Sequence, residues 1–270
     1  MGDSLLLKRR LANTDLEISP LGLGTVKLGR NKGIKYPTHF ELPSDKEAAQ
    51  LIGLAKELGI NLIDTAPAYG DSETRLGTLL TGQRQDWVIC SKVGEEFDNQ
   101  TGQSSYKFTP EHIQFSVERS LKRLNTDYID MLLVHSDGND VEIIKRFGLL
   151  QVLNDLKAQG KIRATGMSTK TIEGGLLALQ QSDCAMVTYN LTHADEEPVL
   201  DFAAQHNKGI LLKKALASGH ICTHAGEDPV QASFNYIFAH PGVTSAIIGT
   251  INPEHLRSNV AAAEKAILQQ

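Results

Sequence analysis

Short apolar runs alternate with longer amphipathic stretches along the chain. The runs are ISPLGLGTV (residues 18–26), NLIDTA (61–66), DWVICSKV (86–93), YIDMLLVHS (128–136), IRATGMST (162–169), CAMVTYN (184–190), GILLKKAL (209–216) and SAIIGT (245–250). Each is bounded by Gly, Asn, Asp or Ser and reads as a strand. Their apolar character is continuous rather than alternating, as in parallel strands covered on both faces. The stretches between them carry helical spacing. Ser44 is placed to cap a helix over 45–59, with Gly59 as its stop. Thr109 and Pro110 open another at 109–124. Residues 140–160 read as one helix ending at Gly160, and 171–182 as a weaker one carrying two glycines. Residues 195–209, 228–242 and 253–270 complete the set.

Eight β-then-α units without a linker or a break in composition predict a closed (β/α)8 barrel of the TIM type, one domain over residues 1–270. Two segments fall outside the repeat. Residues 5–19 are expected to form a small hairpin across the barrel bottom, turning near Asn13-Thr14-Asp15. Residues 28–43 form a polar loop after the first strand, on the rim where barrel loops build active sites.

Composition narrows the classes. The chain has 270 residues, 41% hydrophobic and 22% charged, with net charge −5 and no basic block. Nothing in it points to nucleic acid or membrane as a partner. Cys90, Cys184 and Cys222 form no CxxC pair, and their odd number gives no disulfide framework, so a reducing, cytoplasmic setting is expected. The opening MGDSLL has Leu6 where a myristoylation signal needs Ser or Thr.

Chemistry enters at the strand ends. Asp64 ends NLID, Lys92 ends WVICSK, His135 ends MLLVH, and Tyr69 follows in the turn APAYG. Singly, each has an ordinary reading: a turn-capping acid, a strand-end cation, a satisfied imidazole, a rim aromatic. Together, on three neighbouring strands of a barrel, they converge on one side of the mouth. An acid, an ammonium and an imidazole around a phenol suit proton donation to a carbonyl oxygen, with Lys92 expected to lower the phenol's pKa from about 10 and His135 to orient the oxygen.

At these residues the chain resembles the aldo-keto reductases. The likeness runs through LGLGT, LIDTAPAYGDSETRLG, VICSKVG, DYIDMLLVH, GKIRATGMS and IIGTINPEHLRSN. It implies a (β/α)8 barrel that passes hydride from NADPH to aldehydes and ketones without metal, with Asp64, Tyr69, Lys92 and His135 as its catalytic positions. It also implies a cofactor lying extended across the rim, in keeping with the lack of a GxGxxG fingerprint. Gly24, Thr25, Val26 and Asp64 would lie near the nicotinamide and Ser168 would bond its carboxamide. Lys213 to Leu216 would flank the pyrophosphate. Gly249, Thr250, Asn252, His255 and Asn259 would surround the adenosine end. Asn252-Pro253 is equally a good helix start.

The chain departs from the family pattern within this shell. Thr169 stands for Asn, Met186 for Gln, and Lys213 for the aromatic that stacks on the ring. Gly249 and His255 stand where NADPH-strict members carry Lys and Arg. NADPH remains the expected cofactor, with NADH also accommodated. The altered shell gives an alternative: a nicotinamide-binding redox sensor or partner subunit with little turnover. A third reading is a barrel lyase or isomerase with Lys92 as a Schiff-base amine. The substrate pocket is expected from residues 28–43, 93–108 and the loop near His193, with Phe40, Phe97, Tyr106 and Phe108, suiting small carbonyl compounds.

Overall fold

The computed structural model describes residues 6–34, 39–217 and 228–269. Gly2 and Cys222 lie outside the described residues, as do parts of the expected hairpin and of the 28–43 loop. The strands are β1 (Arg9–Arg10), β2 (Glu17–Ile18), β3 (Leu21–Gly24), β4 (Leu62–Asp64), β5 (Val88–Val93), β6 (Glu95–Asp98), β7 (Gln103–Tyr106), β8 (Ile129–His135), β9 (Ile162–Ser168), β10 (Cys184–Thr188), β11 (Gly209–Lys213) and β12 (Ser245–Ile248). Eight of them close a parallel barrel in the order β3-β4-β5-β8-β9-β10-β11-β12. The predicted barrel and all eight of its strands are present.

Residues two apart along each strand point the same way, and this period sorts the barrel. Leu62, Val88, Cys90, Met131, Leu133, Ala164, Cys184, Met186 and Leu211 form one buried cluster inside the barrel. Leu11, Leu16 and Ile18, from the hairpin β1–β2, join it and plug the bottom. Each of the leucines, isoleucines, valines and methionines among them contributes roughly 1.5–3 kcal/mol by leaving water. A second, larger cluster lies between the strands and the surrounding helices. Extending the inward register by one step reaches Asp64 on β4, Lys92 on β5, His135 on β8 and Lys213 on β11, and by two steps, past Gly166, Ser168 on β9. The polar residues of the mouth are therefore the top layer of the barrel interior.

The helices are α1 (Val26–Gly29), α2 (Asp45–Glu57), α3 (Ser72–Leu79), α4 (Pro110–Leu124), α5 (Asp140–Lys145), α6 (Leu149–Ala158), α7 (Ile172–Gln181), α8 (Glu197–His206), α9 (Pro229–Phe238) and α10 (Pro253–Leu268). Ser44 caps α2 in a reciprocal capping box with Glu47, and Thr109 caps α4. Three features differ from the sequence reading. The 140–160 helix is two helices, because Gly148 adopts the left-handed region (φ 62°) and starts α6 afresh. Helix α3 fills the unit after β4, where no helical stretch stood out; its apolar face is short, with Leu76 buried. The stretch after β5, to which no element was assigned, folds into the antiparallel hairpin β6–β7. The glycine-bearing α7 does form, because its glycines sit at crowded contacts: a Cβ on Gly174 would lie 2.2 Å from Asp140 Cβ, and one on Gly175 2.7 Å from a Val199 methyl.

Candidate active site

The centre of the mouth is a closed network of charges. Lys92 is 1% exposed at the top of β5. Its Nζ donates to Asp64 Oδ1 at 2.5 Å, to the Thr65 carbonyl at 2.9 Å and to Tyr69 Oη at 3.0 Å. All three ammonium protons are thus used, as a buried cation requires. Tyr69 Oη donates in turn to Asp64 Oδ2 at 3.2 Å.

Tyr69 reaches the network from a 3-10 turn, Pro67–Tyr69. That turn is pinned by close backbone contact. A Cβ on Gly29 would lie 2.1 Å from Ser72 N and 2.3 Å from the Tyr69 carbonyl, so only glycine fits there. Gly70 takes φ 61°, and Asp71 N donates to the Gly29 carbonyl at 3.2 Å. Ser72 Oγ donates to Thr25 Oγ1 at 2.7 Å, and Thr25 Oγ1 donates to the Asp64 carbonyl at 2.8 Å. The Thr25 hydroxyl is therefore committed to holding β3, β4 and the Tyr69 turn together.

Electrostatics differ from the sequence expectation in one respect. The Tyr69 phenol is pushed above its usual value, first by desolvation and then by the Asp64 carboxylate, with Lys92 opposing. Lys92 does pull it down, through its charge and its hydrogen bond, but desolvation and the Asp64 carboxylate outweigh that pull. The Lys92 ammonium is itself held above its usual range: burial works against the charge, but Asp64 and Tyr69 outweigh it. Tyr69 is thus a protonated phenol beside a fixed cation.

His135, at the end of β8, brings its ring edge-on to Tyr69 with centroids 6.4 Å apart. Its Nδ1 lies 3.0 Å from Glu95 Oε2, a close ion-pair approach but too oblique for an aligned hydrogen bond. Burial pushes the imidazole below its usual pKa, while Glu95 raises it and Lys92 and Lys213 lower it further. Burial would raise the Glu95 carboxyl, but His135, Ser104 and Arg30 outweigh that and hold it at about 2. Glu95 was not among the residues picked from the sequence. Its signal is the turn DNQTG between residues 95–98 and 103–106, which marks a hairpin folded back over the mouth.

On the opposite side of the mouth, Lys213 Nζ donates to Ser168 Oγ at 3.1 Å and to the Thr169 carbonyl at 2.5 Å. Burial lowers its pKa to about 8, with Glu196 opposing. The Thr169 hydroxyl is buried and has no partner among the described residues. Met186 lies in register beside Ser168, 2% exposed and packed in the barrel interior. Leu216 is partly buried against the outer core. Gly24 and Val26 flank Thr25 on the rim.

The remaining picked residues cluster elsewhere, where β12 leads into α10. Gly249 and His255 are exposed and Thr250 is half-buried. Asn252 caps α10, accepting from Glu254 N at 2.8 Å and His255 N at 3.4 Å, and Asn259 is buried on that helix.

A hydrogen-bonding edge built from Ser168, the unpartnered Thr169 hydroxyl and Lys213 fits an amide-bearing ring such as nicotinamide. Among the described residues no cluster of three or more His, Cys, Asp or Glu is arranged to hold a metal ion, and no helix is long and apolar enough to cross a membrane.

Comparison with known proteins agrees with the fold. The family model described as "Aldo/keto reductase family" matches residues 20–221 and 211–270. The chain is 55% identical to the solved structure of PA4992 from Pseudomonas aeruginosa, which bears the aldo-keto reductase name provisionally. That likeness covers 98% of each chain, with a TM-score of 0.89. It is 28% identical to the uncharacterised oxidoreductase YqkF of Bacillus subtilis, over 95% of this chain and 90% of that protein. It is 35% identical to the NADH-specific methylglyoxal reductase of Escherichia coli, over 58% of this chain and 50% of that protein.

Proposed function

The chain belongs to the aldo/keto reductase family of oxidoreductases, and on that premise we propose that it reduces a small aldehyde or ketone to the alcohol, reversibly, with Tyr69 as the proton donor. The observation that carries this reading is the Lys92–Tyr69–Asp64 network at the mouth. A reduced nicotinamide cofactor, when bound, supplies the hydride.

The protein's own part is the proton and the fit. Desolvation and Asp64 keep Tyr69 protonated through the neutral range, so it meets a carbonyl oxygen as an acid. When the proton leaves, the new phenolate lies 3.0 Å from the Lys92 ammonium, which stabilises it in place. Asp64 fixes that ammonium and answers its charge before the reaction starts. His135, across from Tyr69, orients the same oxygen. Ser168, Thr169 and Lys213 would hold the nicotinamide, and Gly249, Thr250, Asn252, His255 and Asn259 the adenosine end.

NADPH is our first choice, carried over from the family resemblance. The absence of a cation at Gly249 and the NADH-specific relative support use of NADH as well. The methylglyoxal reductase also supports a small carbonyl as substrate. Incubating the protein with NADPH or NADH and a panel of small aldehydes, methylglyoxal included, tests the reading. Loss of absorbance at the nicotinamide band with at least one of them is expected. Cofactor binding without any loss would favour the second reading, a redox sensor, which the substitutions at Lys213, Thr169 and Met186 motivate.

A further inference from the structure

Glu95 has no part in the proton transfer just described, yet it is held firmly against it. The carboxylate stands on β6 with Oε2 3.0 Å from His135 Nδ1, and only 12% of its side chain is exposed. Arg30 and Ser104 help keep it ionised. His135 is pressed from four sides: Glu95 from the hairpin, Lys92 from β5, Lys213 from β11, and the Tyr69 ring from the turn after β4. Burial and the two lysines disfavour a positive imidazole, and among the described residues Glu95 is the anion that counters them. Charge attraction needs no hydrogen-bond alignment, so the oblique approach is no obstacle. Glu95 also occupies the Nδ1 side, which leaves Nε2 as the nitrogen available to a bound oxygen.

These two facts give His135 two forms of opposite use. With both nitrogens protonated, Nε2 donates and suits a carbonyl oxygen. With the remaining proton on the Nδ1 side, Nε2 accepts and suits the hydroxyl of an alcohol. We propose that Glu95 is a positioning residue that holds His135 ready to donate, and so sets the pH at which this site changes from favouring carbonyl reduction to favouring alcohol oxidation. The inference rests on the carbonyl-reducing reading. The proton given to the oxygen in reduction still comes from Tyr69; His135 keeps its own and only orients the oxygen.

The test separates the pairing from the chemistry. The His135 imidazole is titrated by NMR in the wild-type protein and in the Glu95→Gln and Glu95→Asp variants, all without cofactor. Reduction and oxidation are then followed against pH in the same three proteins. Glu95→Gln is expected to lower the His135 midpoint by about one pH unit or more. The crossing point of the two activity profiles should move with it, and Glu95→Asp should restore part of both. An unmoved His135 midpoint in Glu95→Gln would overturn the proposal. A midpoint that moves while the profiles stay fixed would overturn it too, leaving carbonyl reduction intact. A wild-type protein that binds cofactor but turns over no carbonyl or alcohol would bring down the underlying reading, and the proposal with it.

Discussion

The two sides of the barrel mouth are built on different principles. On the β4–β5–β8 side, the polar groups are paired chiefly with one another: Lys92 bonds Asp64 and Tyr69, Tyr69 bonds Asp64, and His135 faces the charge of Glu95. Each is buried or half-buried and each depends on its neighbours for its charge state. On the β9–β11–β12 side, most groups are spent on the backbone: Lys213 on the Thr169 carbonyl, Asn252 on the start of α10, Asn190 on the Lys214 carbonyl. The first side is a coupled electrostatic unit. The second is a set of groups mostly satisfied locally, with the Thr169 hydroxyl left over for a ligand. Coupling makes chemistry and stability inseparable on one side, whereas on the other they can be varied apart.

That contrast can be broken at several points. The largest effect is expected from Lys92→Met, which leaves Asp64 buried without its cation. It should destabilise the fold by about 3–5 kcal/mol, read from denaturant unfolding, and abolish turnover. A loss of activity with unchanged stability would mean that the pair is less coupled than its geometry implies. Tyr69→Phe should cut turnover by about a hundredfold or more with cofactor affinity nearly unchanged. Wild-type rates in that variant would remove Tyr69 as the acid.

Lys213 is next, and its effect is one of pH. The folded chain sheds the Lys213 proton above about 8, while an unperturbed lysine keeps its proton to 10.5. Between these values the unfolded state binds more protons, so this group makes stability rise with pH across that window. Lys213→Met should remove about 2 kcal/mol of that rise when the two proteins are unfolded in urea at pH 7.5 and pH 10. A wild-type rise retained in the variant would refute the assignment. Asn252→Ala should cost about 1 kcal/mol through the lost cap of α10, seen as a lower unfolding midpoint. The smallest effect is expected from Gly249→Lys on the exposed rim. It should favour NADPH over NADH by only a few-fold, the scale of an exposed charge pair, in binding titrations with both cofactors.

The same contrast explains what the sequence made legible. The barrel could be read because each strand is built on an apolar run and the helices carry their own punctuation, as Ser44 and Thr109 do. The polar cluster of the mouth could be read because Asp64, Lys92 and His135 each interrupt an apolar run, so their cost in the interior is visible in one dimension. Glu95 was not visible in that way. It sits among other charges in EEFD, and its value comes from a hairpin that returns it to His135, 40 residues further along the chain. Helix α3 was hidden by its brevity, and the break before α6 by the apolar spacing that continues across Gly148. The sign of the Tyr69 shift was misjudged for a related reason. The sequence shows the lysine charge near the phenol but not the burial of the phenol, and in the fold desolvation, with the Asp64 carboxylate, outweighs that charge.

Hydride transfer to a carbonyl at this network is the claim on which the account turns, and isotope tracing measures it directly. The protein is mixed with methylglyoxal and a nicotinamide cofactor, NADPH or NADH, that carries deuterium at both C4 positions, and the product is analysed by mass spectrometry. The account predicts an alcohol with one deuterium on the former carbonyl carbon, formed about a hundredfold or more slowly by Tyr69→Phe. Alcohol without label, or equal rates in the two proteins, would contradict it.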